Sequence, residues 1–294
     1  MSTASRSSSR SQKKSNSPYF PESRSIATES LHAQSEKLSS RSTSQLVKIF
    51  IDEERKVEEA IRTQSKQLVQ AVDLIHHAFR EKGRLIYLGA GTSGRLGVLD
   101  ASEIPPTFGF PPNRVIGLIA GGKKAVFKSQ EGAEDQLTGA ESELKRLKLR
   151  KNDVVCGIAA SGRTPYVLGA LFFARAQKAK TILITCNPLR KKRISVDVAI
   201  DLPTGPEIIA GSTRLKAGTA TKVVLNLLTS ISMIQLGRVQ GGRMTHLHAS
   251  NQKLQDRAIR NVMTLGGRTR RESEQLLIQH QWKVDQVMAF LQLR

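Results

Sequence analysis

Aromatic residues make up only 4 % of this 294-residue chain, with a single Trp. Sheets that bind single-stranded nucleic acid stack bases on exposed rings, and this composition leaves little to stack with. Cysteine is scarce as well: Cys156 and Cys186 both fall in apolar, strand-like runs. Two such residues read as buried free thiols rather than a disulfide framework or a metal site. No apolar run approaches the roughly 18–20 residues of a membrane span. The N-terminus lacks the apolar core of a signal peptide, so a cytoplasmic protein is expected. Acidic residues are outnumbered, 25 against 46 Lys and Arg, for a net charge of +21. The cations are spread along the chain, and the densest run, Arg190–Arg193, falls in an expected surface loop. Such diffuse basicity serves solubility and attraction of anionic small molecules more than a nucleic-acid interface.

What is present centres on Leu85–Glu103, LIYLGAGTSGRLGVLDASE. An unbroken apolar run reads as a buried parallel strand. It breaks into Gly89–Gly94 and resumes with helical spacing at Leu96, Val98 and Leu99. Strand, glycine-rich turn and helix together aim free backbone N–H groups at an anion. Gly91, Thr92, Ser93 and Arg95 are the candidate ligands of a phosphate here. The stretch also fits G-x-G-x-x-G, but the dinucleotide fingerprint wants an acid at the end of the next strand. That strand, Val115–Ala120, runs into Gly121-Gly122. A second strand-to-helix turn, Ala159–Pro165, supplies Ser161, Gly162, Arg163 and Thr164, with proline at an early helical position. A third hydroxyl-rich turn, Gly211–Arg214, adds Ser212 and leads to Lys216. Three such turns point to a phosphorylated small ligand.

Two carboxylates fall on the same rim. Glu103 precedes Pro105-Pro106 and is expected in a stiffened turn; Glu134 lies in Glu131–Asp135 at an expected helix start. Glu131 and Asp135 are better explained as solvated helix-end charges. The pair Glu103 and Glu134 suits general acid and base work beside an anchored phosphate.

Residues 1–27, rich in Ser and cations, read as a disordered tail. Two amphipathic helices follow, carrying Leu46, Val47, Phe50, Ile51 and Val57, then Leu68, Val72, Ile75 and Phe79. Strands are expected at Leu85–Leu88, Val115–Ile119, Val154–Ile158, Thr181–Thr185 and Val196–Asp201, with helices near 94–101, 131–147, 164–178 and 216–236. Such alternation gives an α/β protein, a parallel sheet flanked by helices with ligands at the carboxyl ends of its strands. After Gly266-Gly267 a small helical unit is expected around Leu276, Leu277, Trp282, Val284, Val287 and Phe290.

The paired turns GAGTSG and AASGRT resemble the sugar isomerase (SIS) domain. The longer runs GRLGVLDASEIPP, IGLIAGG, EGAED, GIAASGRTPYV and GSTRLKAGTATK resemble the N-acetylmuramic acid 6-phosphate etherase family, from about Thr28 to Leu265. The resemblance implies a three-layer SIS-type sandwich over 28–265 and a small C-terminal helical domain over 266–294. It implies cleavage of the D-lactyl ether of N-acetylmuramate 6-phosphate, to N-acetylglucosamine 6-phosphate and D-lactate, by a cofactor-free, metal-free homodimer. On this resemblance Glu103 stands at the family's acid and Glu134 at its second catalytic carboxylate. Two positions depart from the family pattern: His32 where asparagine is usual, and His246 where aspartate is usual. A sugar-phosphate-sensing regulator of the same fold would keep the phosphate turns without needing both glutamates. An aldose–ketose isomerase would share the C2 proton abstraction and leave C3 intact.

Overall fold

A computed structural model describes residues 26–187, 194–247, 249 and 251–292. The greater part of the Ser-rich tail and the Arg190–Arg193 run lie outside the described residues. The first described segment is a strap with two 3-10 turns, Ala27–Glu29 and Ser35–Ser40. Helices α1 (Thr43–Arg62) and α2 (Ser65–Arg80) precede β1 (Leu85–Gly89). Then come α3 (Gly91–Phe108), β2 (Val115–Ile119), the short α4 (Lys124–Phe127) and α5 (Gly139–Arg146). β3 (Val154–Ile158), α6 (Pro165–Ala176), β4 (Lys180–Thr185) and β5 (Val198–Asp201) complete the sheet. The long α7 (Lys216–Gln235) is followed by a hairpin of β6 (Val239–Gln240) and β7 (Arg243–Met244). Three helices close the chain: α8 (Gln252–Gly266), α9 (Arg270–Gln279) and α10 (Val284–Phe290).

The five strands run parallel in the order β2-β1-β3-β4-β5. β1 and β3 are buried along their whole length, which is why they read as continuous apolar runs. Their side chains still alternate between two cores. Leu85, Tyr87, Cys156, Ile158, Ile182 and Ile184 pack against α1, α2, α3 and α7, while Ile86, Leu88, Val155 and Leu183 pack against α5 and α6. α7 is long and apolar enough to cross a membrane, although no such segment stood out in the sequence. Here it is a core helix, burying Val224, Leu225 and Leu228.

A buried polar knot sets the rotation of α3. Asp100 accepts hydrogen bonds from Tyr87 Oη at 3.1 Å, Asn226 Nδ2 at 2.9 Å and Thr229 Oγ1 at 3.3 Å. Burial raises its pKa, and these donors oppose the rise. With Asp100 and, one turn before it, Leu96 turned towards the core, Leu99 and Glu103 are left exposed on the flank of α3.

Several expectations change. α3 does not stop near residue 101 but runs through Pro105 and Pro106 to Gly109, whose φ of 58° ends it. Glu103 is therefore on a helix and not in a turn. The prolines lose two N–H donors only in the last turns, and burial of Ile104 and Phe108 holds the helix there. The helix expected over 131–147 is a 3-10 turn at Ala133–Asp135 followed by α5, because Gly132 takes a left-handed φ of 70°. β5 begins at Val198, two residues late. In the C-terminal unit Leu277, Val284 and Val287 are core, but Phe290 is 61 % exposed. Its place is taken by Ala258, Ile259 and Val262 of α8.

Candidate active site

The carboxyl ends of β1 and β3 lie side by side, and each feeds a helix through a tight turn. After β1, the N–H of Gly94 bonds the Ala90 carbonyl at 3.3 Å, and α3 starts almost on top of the strand. A Cβ on Gly94 would stand 2.6 Å from the Gly89 carbonyl oxygen, so the close approach requires glycine. After β3, Gly162 N donates to Ala159 O at 2.8 Å and Arg163 N donates to Ser161 Oγ at 3.2 Å. Thr164 then caps α6, its carbonyl accepting from Val167 and Leu168, with Pro165 in the first turn. Both helix N-termini thus open on the same edge, where their unpaired N–H groups favour an anion.

A cavity of about 110 Å³ adjoins the first turn. It is lined by Gly91 and Arg95 on one side and by Gln130, Glu131 and Glu134 on the other. Arg95 is held there by a bond from Nε to the Val126 carbonyl, 2.8 Å. Glu134, on its 3-10 turn, is exposed and faces this opening. The third turn also belongs to this edge: a Cβ on Gly218 would touch both Thr213 O at 3.3 Å and Thr92 Cγ2 at 3.6 Å. Ser212 lies within it, its N–H bonded to the Ile209 carbonyl at 3.0 Å.

Two of the expected site residues lie elsewhere. Lys216 is 1 % exposed, and its ammonium is bonded to Glu53 and to the Pro206 carbonyl. Glu103 is exposed on α3, twelve residues beyond Gly91, or about 18 Å along the axis at 1.5 Å per residue. Among the described residues it is not one of those that line the cavity with Glu134.

The two unusual histidines have packing roles. His32, 8 % exposed, places Nε2 3.1 Å from Glu53 Oε1, while its Nδ1 accepts from Gln34 N at 3.2 Å. His246 is half-buried, its carbonyl against Gly109 at the far end of α3. Burial, and then the charge of Arg238, lower its pKa. No three His, Cys, Asp or Glu side chains group as metal ligands among the described residues.

Glu53 ties the strap, α1 and α7 together. Burial alone would raise its pKa, but hydrogen bonds from Lys216 and Lys56 outweigh burial and hold it at about 2. A folded-state pKa below the usual 4.5 stabilises the fold above that value and is lost as pH falls towards 2. Screening at this partly exposed site limits the effect to on the order of 2 kcal/mol. In denaturant titrations, the stability advantage of the native protein over Glu53→Gln should shrink steadily between pH 5 and 2. An advantage independent of pH would show that charge pairing does not hold the strap.

A model of the SIS domain matches residues 138–231, and one of the glucokinase regulatory protein N-terminal SIS domain matches residues 67–175. The N-acetylmuramic acid 6-phosphate etherase of Rhodopirellula baltica is 48 % identical over 254 residues, 86 % of this chain and 84 % of that protein. The enzyme of the same name from Psychromonas ingrahamii is 46 % identical over 254 residues, covering 86 % and 85 %. Among solved structures, the c3406 protein of Escherichia coli CFT073 superposes with a TM-score of 0.51 at 18 % identity, covering 69 % of this chain and 97 % of that one. That likeness is one of fold.

Proposed function

The chain belongs to the N-acetylmuramic acid 6-phosphate etherase family, and we propose that it splits the D-lactyl ether of N-acetylmuramate 6-phosphate by elimination and addition of water. The observation that carries the mechanism is a cavity edged by Glu134 and by the glycine-rich start of α3, beside the strand β3 whose turn opens α6. Phosphate sits over the turns of Gly91, Thr92 and Ser93 and of Ser161, Gly162, Arg163 and Thr164. The sugar extends over Arg95 and Glu134. In the open-chain sugar the C2 proton is acidified by the C1 aldehyde, and Glu134 removes it. The C3–O bond breaks, Glu103 protonates the departing lactyl oxygen, and water adds at C3 of the unsaturated aldehyde. Every step is a proton transfer or a C–O bond change on a fixed skeleton, which positioned carboxylates can perform.

Glu103 reaches that sugar from a second copy of the chain. Leu99 on its helix face is 48 % exposed, and Ile231 and Ile234 of neighbouring α7 are 37 % and 53 % exposed. A two-fold dimer that covers these residues buries apolar surface and carries each Glu103 to the opposite site.

Incubation with N-acetylmuramate 6-phosphate should release D-lactate, whereas a sensor or an isomerase would release none. Ser161→Ala removes a charge-assisted donor worth about 1.5–3 kcal/mol, so KM should rise roughly 10- to 100-fold. Equal turnover of the unphosphorylated sugar would sink the phosphate assignment.

A further inference from the structure

The substrate hides its aldehyde: in the pyranose, C1 is a hemiacetal, and elimination cannot start until the C1–O5 bond opens. Glu134 and Glu103 are engaged at C2 and at the lactyl oxygen, so the chemistry set out above lacks an acid–base group at C1. We propose that Glu29, on the N-terminal strap, is the catalytic residue that opens the sugar ring. This rests on the etherase reading.

The strap is fastened to the site edge on the side away from Glu134. Ala27 N donates to Asn187 Oδ1 at 3.0 Å, just beyond β4, and Asn187 Nδ2 donates to the Ser161 carbonyl at 3.4 Å. Gly211 N donates to the Thr28 carbonyl at 3.1 Å, and Thr28 is fully buried. These bonds lay Glu29 over Gly211, where a Cβ would stand 2.9 Å from Glu29 Oε2. Gly211 also has a φ of +73°, so both backbone and space call for glycine beneath the carboxylate. That turn is continuous with Thr213, which adjoins Thr92 of the first phosphate turn across Gly218.

In sheet order Glu134 follows β2, the phosphate turns follow β1 and β3, and the strap is tied at β4 and beyond β5. Strands about 4.8 Å apart put the β2 and β4 ends about 14 Å from each other. With both side chains reaching inward, that gap suits a six-membered ring with one carboxylate on each flank. The Glu29 carboxylate is exposed and has no hydrogen bond or ion pair among the described residues. A phosphate dianion would repel it, so the Gly211–Arg214 turn beneath Glu29 faces the sugar and not, as the sequence suggested, the phosphate.

Glu29 takes the proton of the C1 hydroxyl as the C1=O bond forms and the C1–O5 bond breaks. O5 takes a proton from water, and the hydroxide left behind takes the proton from Glu29. Nothing is oxidised or reduced, and the carboxylate is regenerated.

Anomer interconversion isolates this step. With N-acetylglucosamine 6-phosphate, exchange NMR between the α and β anomers reads ring opening, and deuterium uptake at C2 reads proton abstraction. The native enzyme should accelerate both, and Glu134→Gln only the first. Glu29→Gln should slow enzyme-dependent anomer exchange by about 100-fold or more. Its binding of the sugar phosphate, followed by 31P shift, and its melting should match the native enzyme. Glu29→Asp keeps the charge with a shorter reach and should recover part of the rate. Anomer exchange at the native rate in Glu29→Gln overturns the proposal, as does a native enzyme that does not accelerate exchange. Should Glu29→Gln melt early, Glu29→Asp decides: a native rate overturns, and a reduced rate with intact phosphate binding supports. Lactate release by the native enzyme tests the etherase reading separately.

Discussion

Mixing two inactive variants, Glu103→Gln and Glu134→Gln, should restore lactate release to about a quarter of the native level. In the proposed dimer, random reassortment puts one chain of each kind in about half of the pairs. If the partner supplies Glu103, each mixed dimer has one site with both glutamates intact and one with neither. If both glutamates of a site came from one chain, every site would lack one of them and mixing would restore nothing. The expectation rests on the roughly 18 Å of helix that separates Glu103 from Gly91. Alone, each variant should fall about 100- to 10,000-fold, so recovery to a quarter stands far above background.

The same two variants should also separate the halves of the reaction. Glu103→Gln keeps the base at C2, so it should exchange the C2 hydrogen with solvent deuterium while releasing almost no lactate. Glu134→Gln should do neither at C2 or C3, because without the carbanion nothing expels the ether oxygen. Losses of about 100- to 10,000-fold in the affected step are expected for removal of a general acid or base. Product formed in heavy water should carry deuterium at C2, and in labelled water its C3 oxygen should come from solvent. A reversed exchange pattern would swap the two roles. Lactate release at the native rate by both variants would end the carboxylate mechanism.

The strands and the glycine-rich turns that follow them were legible because their signals are local. Leu85–Leu88 and Val154–Val155 are buried on both faces, so apolar runs locate them, and glycine and hydroxyl residues crowd where the chain turns from strand to helix. What was not legible depends on partners far along the chain. Lys216 looks like a phosphate ligand until α1 brings Glu53 against it from 163 residues away. Pro105 and Pro106 read as a stop, yet the burial of Ile104 and Phe108 keeps α3 helical past them. Glu29 has no motif of its own in the sequence. Only the strap's bonds to Asn187 and Gly211 place it on the edge.

Those bonds also impose an order on the making of the protein. Asn187 is synthesised 160 residues after Ala27, and Ser35 waits 173 residues for the Ile208 carbonyl. At about 5–20 residues per second, that is a delay of roughly 8–35 seconds during which the nascent strap has no seat. The sheet, including its last strand β5, is synthesised before the strap can dock. The strap is therefore made well before its seat exists, and an active site that depends on Glu29 forms only after the Gly211 turn has been synthesised.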